Sequence, residues 1–178
     1  SILTLNKNYW NLERCEELTE LSKNFYTPNI FNKFKDAAIK VLSDIDTTFE
    51  LDKEQRFMSS LYDKGTRYSK SLRLGIAETL VWLSINHKKI LENTRHQYLV
   101  SNVIQNVLSS KDWKVWASLN NLFPIFAEAD PNAFMYSLRE QLINPTNAII
   151  GLFNQEGDGF TSGSLITGLL WGLEIVAW

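Results

Sequence analysis

A glycine-rich segment between two apolar helical stretches is the most obvious place in the sequence to look for ligand chemistry. It runs from Glu156 to Gly163 and holds three glycines. Glycine-rich turns before a helix can bind phosphate through backbone N–H groups, but the P-loop lysine is missing and Glu156 and Asp158 would repel an anion. A calcium loop would need a bidentate glutamate where Leu165 stands. We therefore interpret the segment as a helix connection that binds no cofactor.

Residues that could bind a transition metal are scarce. His87 and His96 are the two histidines of the chain, and Cys15 is its single cysteine. A zinc site needs three or four ligands, and no His-Glu-x-x-His motif is present, so we predict no metal site. We expect Cys15 to be a small buried side chain. One cysteine cannot form a disulfide framework within the chain, and this favours a reducing cytoplasm.

Glu78 is the carboxylate with the most unusual surroundings, because it lies within the largely apolar stretch 72–83. A buried carboxylate needs a hydrogen-bonding or charged partner. A salt bridge to an arginine would be structural, whereas a polar pocket with a second titratable group would indicate an enzyme site around Glu78. No Gly-x-Ser-x-Gly motif occurs, so no residue is assigned a catalytic role.

Basic residues in two neighbouring segments form a second candidate site. Four recur at three-residue spacing around two tyrosines, and three follow in the next connection. They are Lys64, Arg67, Lys70 and Arg73, then Lys88, Lys89 and Arg95. Basic residues interleaved with aromatic ones can bind nucleic acid through its phosphates. Acidic residues lie close by at Asp52, Glu54 and Asp63, which favours an ordinary solvated surface instead.

Tryptophan is abundant, with six residues in 178. Trp113 and Trp116 lie three residues apart and share a helix face, while Trp171 and Trp178 belong to the last apolar stretch. Helix packing is one explanation, and anchoring of a partner protein is the other. We take these four tryptophans as candidate interface residues.

Composition limits the classes of protein to which the chain can belong. Hydrophobic residues make up 44% and charged residues 21%, with a net charge of −2, which excludes a disordered chain. The charge is uneven, since residues 111–178 carry three basic and seven acidic residues, or −4, and the first 110 residues therefore carry +2. No signal peptide or membrane-spanning stretch is visible.

Apolar residues recur three and four positions apart along most of the chain, which predicts a series of helices. Thr27, Ser69, Asp112, Asp130 and Asn144 are suitable N-caps. Proline follows at the first helical position after three of them. The predicted helices cover 9–25, 28–45, a start near 52, 70–86, 94–108, 113–119, a new start at Pro124, 131–143, 148–153 and 165–178.

The pattern predicts an all-α fold of antiparallel helix pairs. No run alternates apolar and polar residues as a strand would. Short helix connections without a strict sequence period favour a degenerate α-solenoid of the HEAT or armadillo type. We expect residues 1–178 to form a single helical domain. The missing initial methionine and the uncapped apolar helix at residues 165–178 lead us to expect a piece of a longer chain.

Several segments resemble an interior helical region of large uncharacterised bacterial proteins. The resemblance covers roughly the last two thirds of the chain. Its segments are Tyr68–Leu80, Asp112–Leu119, Leu122–Pro124, Ala127–Phe134 and Gly168–Trp171. It implies a helical segment within a long polypeptide, and it implies no activity and no site residues.

Three hypotheses for function follow. The first is a non-catalytic helical scaffold, interaction or sensor segment of a larger cytoplasmic bacterial protein, whose partners are other domains of the parent chain or another protein. The second is a nucleic-acid-binding helical domain that uses the Lys64–Arg73 and Lys88–His96 segments. The third is an enzyme with a site around Glu78. None of the three requires a cofactor or a membrane.

Overall fold

The computed structural model describes residues 3–6, 9–12, 27–56, 67–90, 98–144, 147–155 and 164–178. Helices make up nearly all of this part, and the predicted all-α class is confirmed. The helices are α1 (Pro28–Leu42), α2 (Lys53–Arg56), α3 (Lys70–Ile90), α4 (Leu99–Leu108), α5 (Trp113–Ser118), α6 (Phe123–Ala129), α7 (Pro131–Ile143), α8 (Ala148–Gln155) and α9 (Thr167–Ala177), with 3₁₀ helices at Thr47–Glu50 and Asn120–Leu122.

A short hairpin near the start of the chain is the exception to this helical fold. Strand β1 (Leu3–Asn6) pairs with β2 (Tyr9–Leu12) in antiparallel register, with Leu3 opposite Leu12. The helix predicted from Tyr9 is therefore wrong for its first four residues. Tyrosine and tryptophan favour strands, and four residues are too few for helical spacing to distinguish the two structures. The rest of that predicted helix, including Cys15, lies outside the described residues.

Four of the predicted N-caps are confirmed by hydrogen bonds. Thr27 Oγ1 accepts from Ile30 N, and Ser69 Oγ accepts from Leu72 N, at 3.3 and 3.1 Å. The other two caps are carboxylates, with Asp112 Oδ1 at 2.9 Å from Lys114 N and Asp130 Oδ1 at 2.9 Å from Ala133 N. These caps satisfy N–H groups that have no partner within their own helices.

The cap predicted at Asn144 is wrong. Helix α8 begins three residues after Pro145, and Asn147 Oδ1 accepts from Ile150 N at 2.8 Å. The side chain of Asn144 instead donates to Glu140 O at the end of α7. An asparagine can bond either to a preceding carbonyl or to a following N–H group, and both types of site are present here.

The helices pack in three rows, and each row takes one element from each successive part of the chain. In the first row α1 packs on α4, and α4 packs on α7. In the second row the 3₁₀ helix Thr47–Glu50 packs on α5, and α5 packs on α8. In the third row α3 packs on α6, and α6 packs on α9. Every row therefore runs in chain order.

The connection from the first row to the second has the same length each time. Four positions separate the last residue of the helix from an aspartate or asparagine that caps the next element. The pairs are Leu42 and Asp46, Leu108 and Asp112, and Ile143 and Asn147. A side-chain oxygen at this position accepts from backbone N–H groups at the start of the following turn, so the three connections share one local mechanism.

Four large aromatic side chains form the core where α5, α6 and α7 meet. Trp116, Phe123, Phe126 and Phe134 are all completely buried. The rings of Trp116 and Phe123 lie 5.5 Å apart, and those of Phe123 and Phe134 lie 6.2 Å apart, both pairs tilted. Burial of each such side chain contributes about 2–3 kcal/mol. This aromatic cluster joins the three rows.

Arg56 in α2 connects all members of the second row. Its guanidinium lies 5.0 Å from the ring of Trp113 and 5.9 Å from that of Phe49. It also donates through Nε to Leu51 O and through Nη1 to Gln155 Oε1. Burial lowers the pKa of Arg56, and nearby Asp52 opposes that shift. One side chain therefore holds together residues that are far apart in the sequence.

Candidate interaction surface

Arg73, predicted as part of a basic surface, is buried in the structure. It is 7% exposed, and Nη2 donates to Leu42 O at 3.0 Å and to Asp44 O at 2.9 Å. Its Nε has no acceptor among the described residues. Burial lowers the pKa of Arg73, while the Asp46 and Asp44 charges raise it. The prediction of a surface role is corrected, because this guanidinium binds the carbonyl end of α1.

The remaining basic candidates are divided between exposed positions and positions outside the described residues. Arg67 and Lys70 are exposed, and the Arg67 guanidinium lies 5.6 Å from the ring of Tyr68. The backbone of Lys88 and Lys89 belongs to α3, but their side chains are outside the described part, as are Lys64 and Arg95. Binding of nucleic acid stays a prediction, and of its residues the structure describes Arg67 and Lys70 as exposed.

Glu78 is exposed on α3, so the buried carboxylate expected from the sequence is wrong. The inward face of α3 carries Arg73, Ala77 and Leu80, whereas Leu72 and Leu74 are exposed. The many apolar residues of this helix suit more than one face, so the sequence alone did not show which of them are buried. An enzyme site around Glu78 thereby loses the observation that motivated it.

Two of the four candidate interface tryptophans belong to the interior. Trp116 is completely buried, and its Nε1 donates to Ser110 O at 3.0 Å. Trp113 is half-buried, contacting Phe49 edge to face under the guanidinium of Arg56. The prediction that Trp116 anchors a partner is corrected, because its ring is already enclosed by its own chain.

Trp171 and Trp178 are exposed on α9, at 59% and 98%. They share the outer side of this helix with Leu170, while Leu173 and Ile175 lie exposed at its edges. We call these five residues the α9 outer face. Contiguous exposed apolar side chains on a helix are typical of a surface that contacts another protein.

The opposite side of α9 fits closely against the chain. A Cβ added to Gly168 would lie 1.7 Å from Asn120 O, and one added to Gly172 would lie 2.9 Å from Phe134 Cζ. Asn120 also accepts from Gly168 N at 2.9 Å and donates to Ser164 O at 3.1 Å. The glycines let α9 approach α6 closely, and this contact directs its large side chains outward.

The α9 outer face has almost no charge of its own. Glu174 is exposed within it, and the sequence contains no lysine or arginine after Arg139. A partner that covers this face must therefore bring apolar side chains. A basic residue on the partner would pair with Glu174 in the middle of this face.

A shallow polar groove of about 350 Å³ lies between α4 and α7. Its polar lining includes Asn106, Lys111, Tyr136, Glu140 and Asn144. The Nδ2 atoms of Asn106 and Asn144 both donate to neighbouring backbone carbonyls. No group of three histidine, cysteine, aspartate or glutamate residues suited to a metal occurs in the described segments. The glycine-rich segment 156–163 lies outside them.

Comparisons with known proteins assign the chain to no family and no function. No protein-family model, curated protein or solved structure matches the chain. The resemblance to large bacterial proteins stays a prediction. In the described part of the chain, no helix is both long enough and apolar enough to cross a membrane.

Gln141 is an important residue that the sequence interpretation missed. Its Nε2 donates to Leu108 O and Ser110 O at 3.0 and 3.1 Å, and its Oε1 accepts from Ala148 N at 3.2 Å. The neighbouring Leu142 is exposed. The spacing from Phe134 through Leu138 to position 141 could have identified this buried amide, because it continues one helix face.

Proposed function

We propose that the chain is a non-catalytic scaffold or interaction segment with an α-solenoid architecture. The three rows of helices support this architecture. We group residues 28–90 as the first unit, 98–129 as the second and 131–178 as the third. Each unit contributes one element to each row. In a solenoid, each unit packs on its neighbours and the end units remain open on one side.

Hydrogen bonds to equivalent carbonyls in the first and second units support the same architecture. The Arg73 side chain binds the carbonyls of Leu42 and Asp44, and the Gln141 side chain binds those of Leu108 and Ser110. In each connection these two carbonyls lie four and two residues before the capping aspartate, which is Asp46 in the first and Asp112 in the second. The two connections therefore accept side-chain hydrogen bonds at the same positions, from Arg73 of the same unit in one case and from Gln141 of the next unit in the other.

The exposed apolar side chains are distributed as expected for such a stack. The second unit has a single strongly exposed large apolar residue, Tyr98, among its described residues, and the first unit has four. All the others belong to the third unit. They are Met135, Tyr136, Leu142, Ile143, Ile150, Phe153, Leu170, Trp171, Leu173, Ile175 and Trp178.

The α9 outer face is the observation that carries the proposed function. Its tryptophans are residues that commonly anchor protein interfaces, and burial of one contributes about 2 kcal/mol or more to binding. We propose that the face binds a protein surface, either another domain of the same polypeptide or a separate protein. We place the protein in the bacterial cytoplasm, where a single cysteine remains reduced.

A photo-crosslinking amino acid at Trp171 tests this proposal in the cells that make the protein. We expect a discrete adduct whose partner peptide, identified by mass spectrometry, comes from one surface. Leu170→Glu should remove the adduct, and the same probe at exposed Asn106 should not form it. The absence of any adduct at position 171, or identical adducts at positions 171 and 106, would contradict the proposal.

A further inference from the structure

We propose that the polar groove between α4 and α7 binds a small zwitterion, either a free amino acid or a short peptide with unblocked ends. The groove has a volume of about 350 Å³, at the lower end of the range of small-molecule sites. Its lining residues belong to α4, α7 and the connections that follow them, and none belongs to the α9 outer face. The proposal is therefore independent of the partner of that face.

A buried amide joins the two walls of the groove. Gln141, which is 4% exposed, lines the groove from α7, and its Nε2 donates to Leu108 O and Ser110 O on the α4 side. Its Oε1 accepts from Ala148 N, so both ends of the amide are bonded within the chain. A groove whose walls are held in this way is formed before a ligand arrives, which reduces the entropy lost on binding.

Opposite charges stand on the two walls. Lys111 directly follows Ser110, and Glu140 directly precedes Gln141, so the hydrogen bond from Gln141 to Ser110 brings these two positions near each other. Both charged side chains line the groove and are exposed, and neither forms an ion pair with another described residue. The groove therefore offers one cation and one anion with which a ligand can pair separately.

Two asparagines add hydrogen-bond acceptors to the groove. Asn106 Nδ2 donates to Asn102 O, and Asn144 Nδ2 donates to Glu140 O, whereas no described residue donates to the amide oxygen of Asn106 or of Asn144. With the Glu140 carboxylate these oxygens make three acceptor groups, which matches the three N–H donors of an ammonium group. The Tyr136 side chain, which is 54% exposed, supplies an aromatic surface in the same groove.

This set of groups favours a zwitterion over a simpler ion. A phosphate ester would pair with Lys111 but would be repelled by Glu140, and a simple amine would leave Lys111 unpaired. An amino acid or an unblocked peptide carries an ammonium and a carboxylate on one molecule, so it can pair with both walls. The length of the peptide sets the distance between its two charges, and a series with identical ends therefore identifies the separation that fits.

Nuclear magnetic resonance of the isotope-labelled chain tests the proposal with L-alanine, dialanine and trialanine. At least one of the three should shift the backbone amides of Ser109, Lys111 and Glu140 in a saturable way, with a dissociation constant on the order of 1 mM. Acetylation of the peptide removes its ammonium, and amidation removes its carboxylate. Each change should weaken binding about tenfold, because each removes one charged hydrogen bond.

Two variants assign each end of the ligand to one wall. Glu140→Gln should weaken binding of the free peptide about tenfold but should not weaken binding of the acetylated peptide further, since that peptide has no ammonium to lose. Lys111→Met should behave in the same way toward the amidated peptide. Glu128→Gln and Lys40→Met are the matched controls, because both residues are exposed and lie outside the groove. The controls should bind like the natural chain, and the spectra of all variants should show the same fold.

Three results would overturn the proposal. The first is the absence of saturable shifts at the groove with all three ligands up to about 10 mM. The second is a blocked peptide that binds as tightly as the free one. The third is a Glu140→Gln variant that loses the same affinity for free and acetylated peptides, because such a loss would come from a changed groove and not from a lost ion pair.

Discussion

At the scale of single residues, two buried polar side chains hold the connections between helices. Arg73 binds the last carbonyl of α1 and one in the connection after it, and Gln141 binds the equivalent two carbonyls at the end of α4. Carbonyl groups at helix C-termini have no partner within the helix, so a buried donor stabilises them and fixes where the chain turns. Both residues therefore fix the direction of the backbone connection that follows a helix of the first row.

We predict that Arg73→Met lowers the free energy of unfolding by about 3 kcal/mol. The substitution keeps an apolar chain of similar length but leaves the carbonyls of Leu42 and Asp44 without their charged donor. Arg73→Lys should recover only part of the loss, because an ammonium group cannot reproduce the guanidinium geometry. Urea denaturation measures the difference, and Lys70→Met, three residues earlier and exposed, should change stability by less than about 0.5 kcal/mol. Equal effects at positions 70 and 73 would refute the assigned role.

At the scale of elements, the position of α9 depends on the small size of two of its residues. Gly168 and Gly172 lie one turn apart on the side that faces Asn120 and Phe134. Glycine weakens a helix by roughly 0.5–1 kcal/mol relative to alanine, and here it allows a backbone contact that no other residue permits. The close contact on one side leaves the tryptophans on the other.

Gly168→Ala should destabilise the protein by at least about 3 kcal/mol, since the new methyl group overlaps Asn120 O and α9 must move away. Gly75→Ala is the matched control, because a Cβ at Gly75 meets nothing within 4 Å on the exposed side of α3. That control should gain roughly 0.5–1 kcal/mol from helix propensity. Thermal unfolding of both variants measures the contrast. If both substitutions change stability in the same direction, the inference that Gly168 packs directly against Asn120 is wrong.

At the scale of the whole molecule, the helices in the middle of the rows are covered on two sides, whereas one side of α9 is exposed. Helices α4 and α6, which contain the fully buried Ile104 and Phe126, each pack on one element that comes before them and one that comes after them in the chain. In a stacked architecture, stability is shared between neighbouring units, so the ends unfold more readily than the centre.

Hydrogen exchange of the monomer should follow this order. Amides of α4 and α6 should exchange slowest, and those of α9 should exchange at least tenfold faster, because the outer side of α9 adds no burial. Mass spectrometry of peptic fragments, recorded at low protein concentration, measures the rates. Equal protection of α9 and α6 would indicate a closed domain that unfolds as a single unit.

Much of the helical architecture could be predicted from the sequence because helix starts are local. Thr27, Ser69, Asp112 and Asp130 cap helices that begin one residue later, and each cap needs only its own next turn. The exceptions follow the same reasoning. Residues 9–12 pair with a strand, and Asn144 bonds backward to Glu140, because in both places a competing local partner was available.

Which side chains are buried was decided only by the tertiary structure. The sequence predicted helices that contain Trp116 and Trp178, yet it could not separate the fully buried ring from the fully exposed one. It also could not show that Arg73 binds a carbonyl of Leu42, thirty-one residues away. Helical spacing defines which residues share a face, but the partner of that face depends on contacts between distant segments, which no local pattern records.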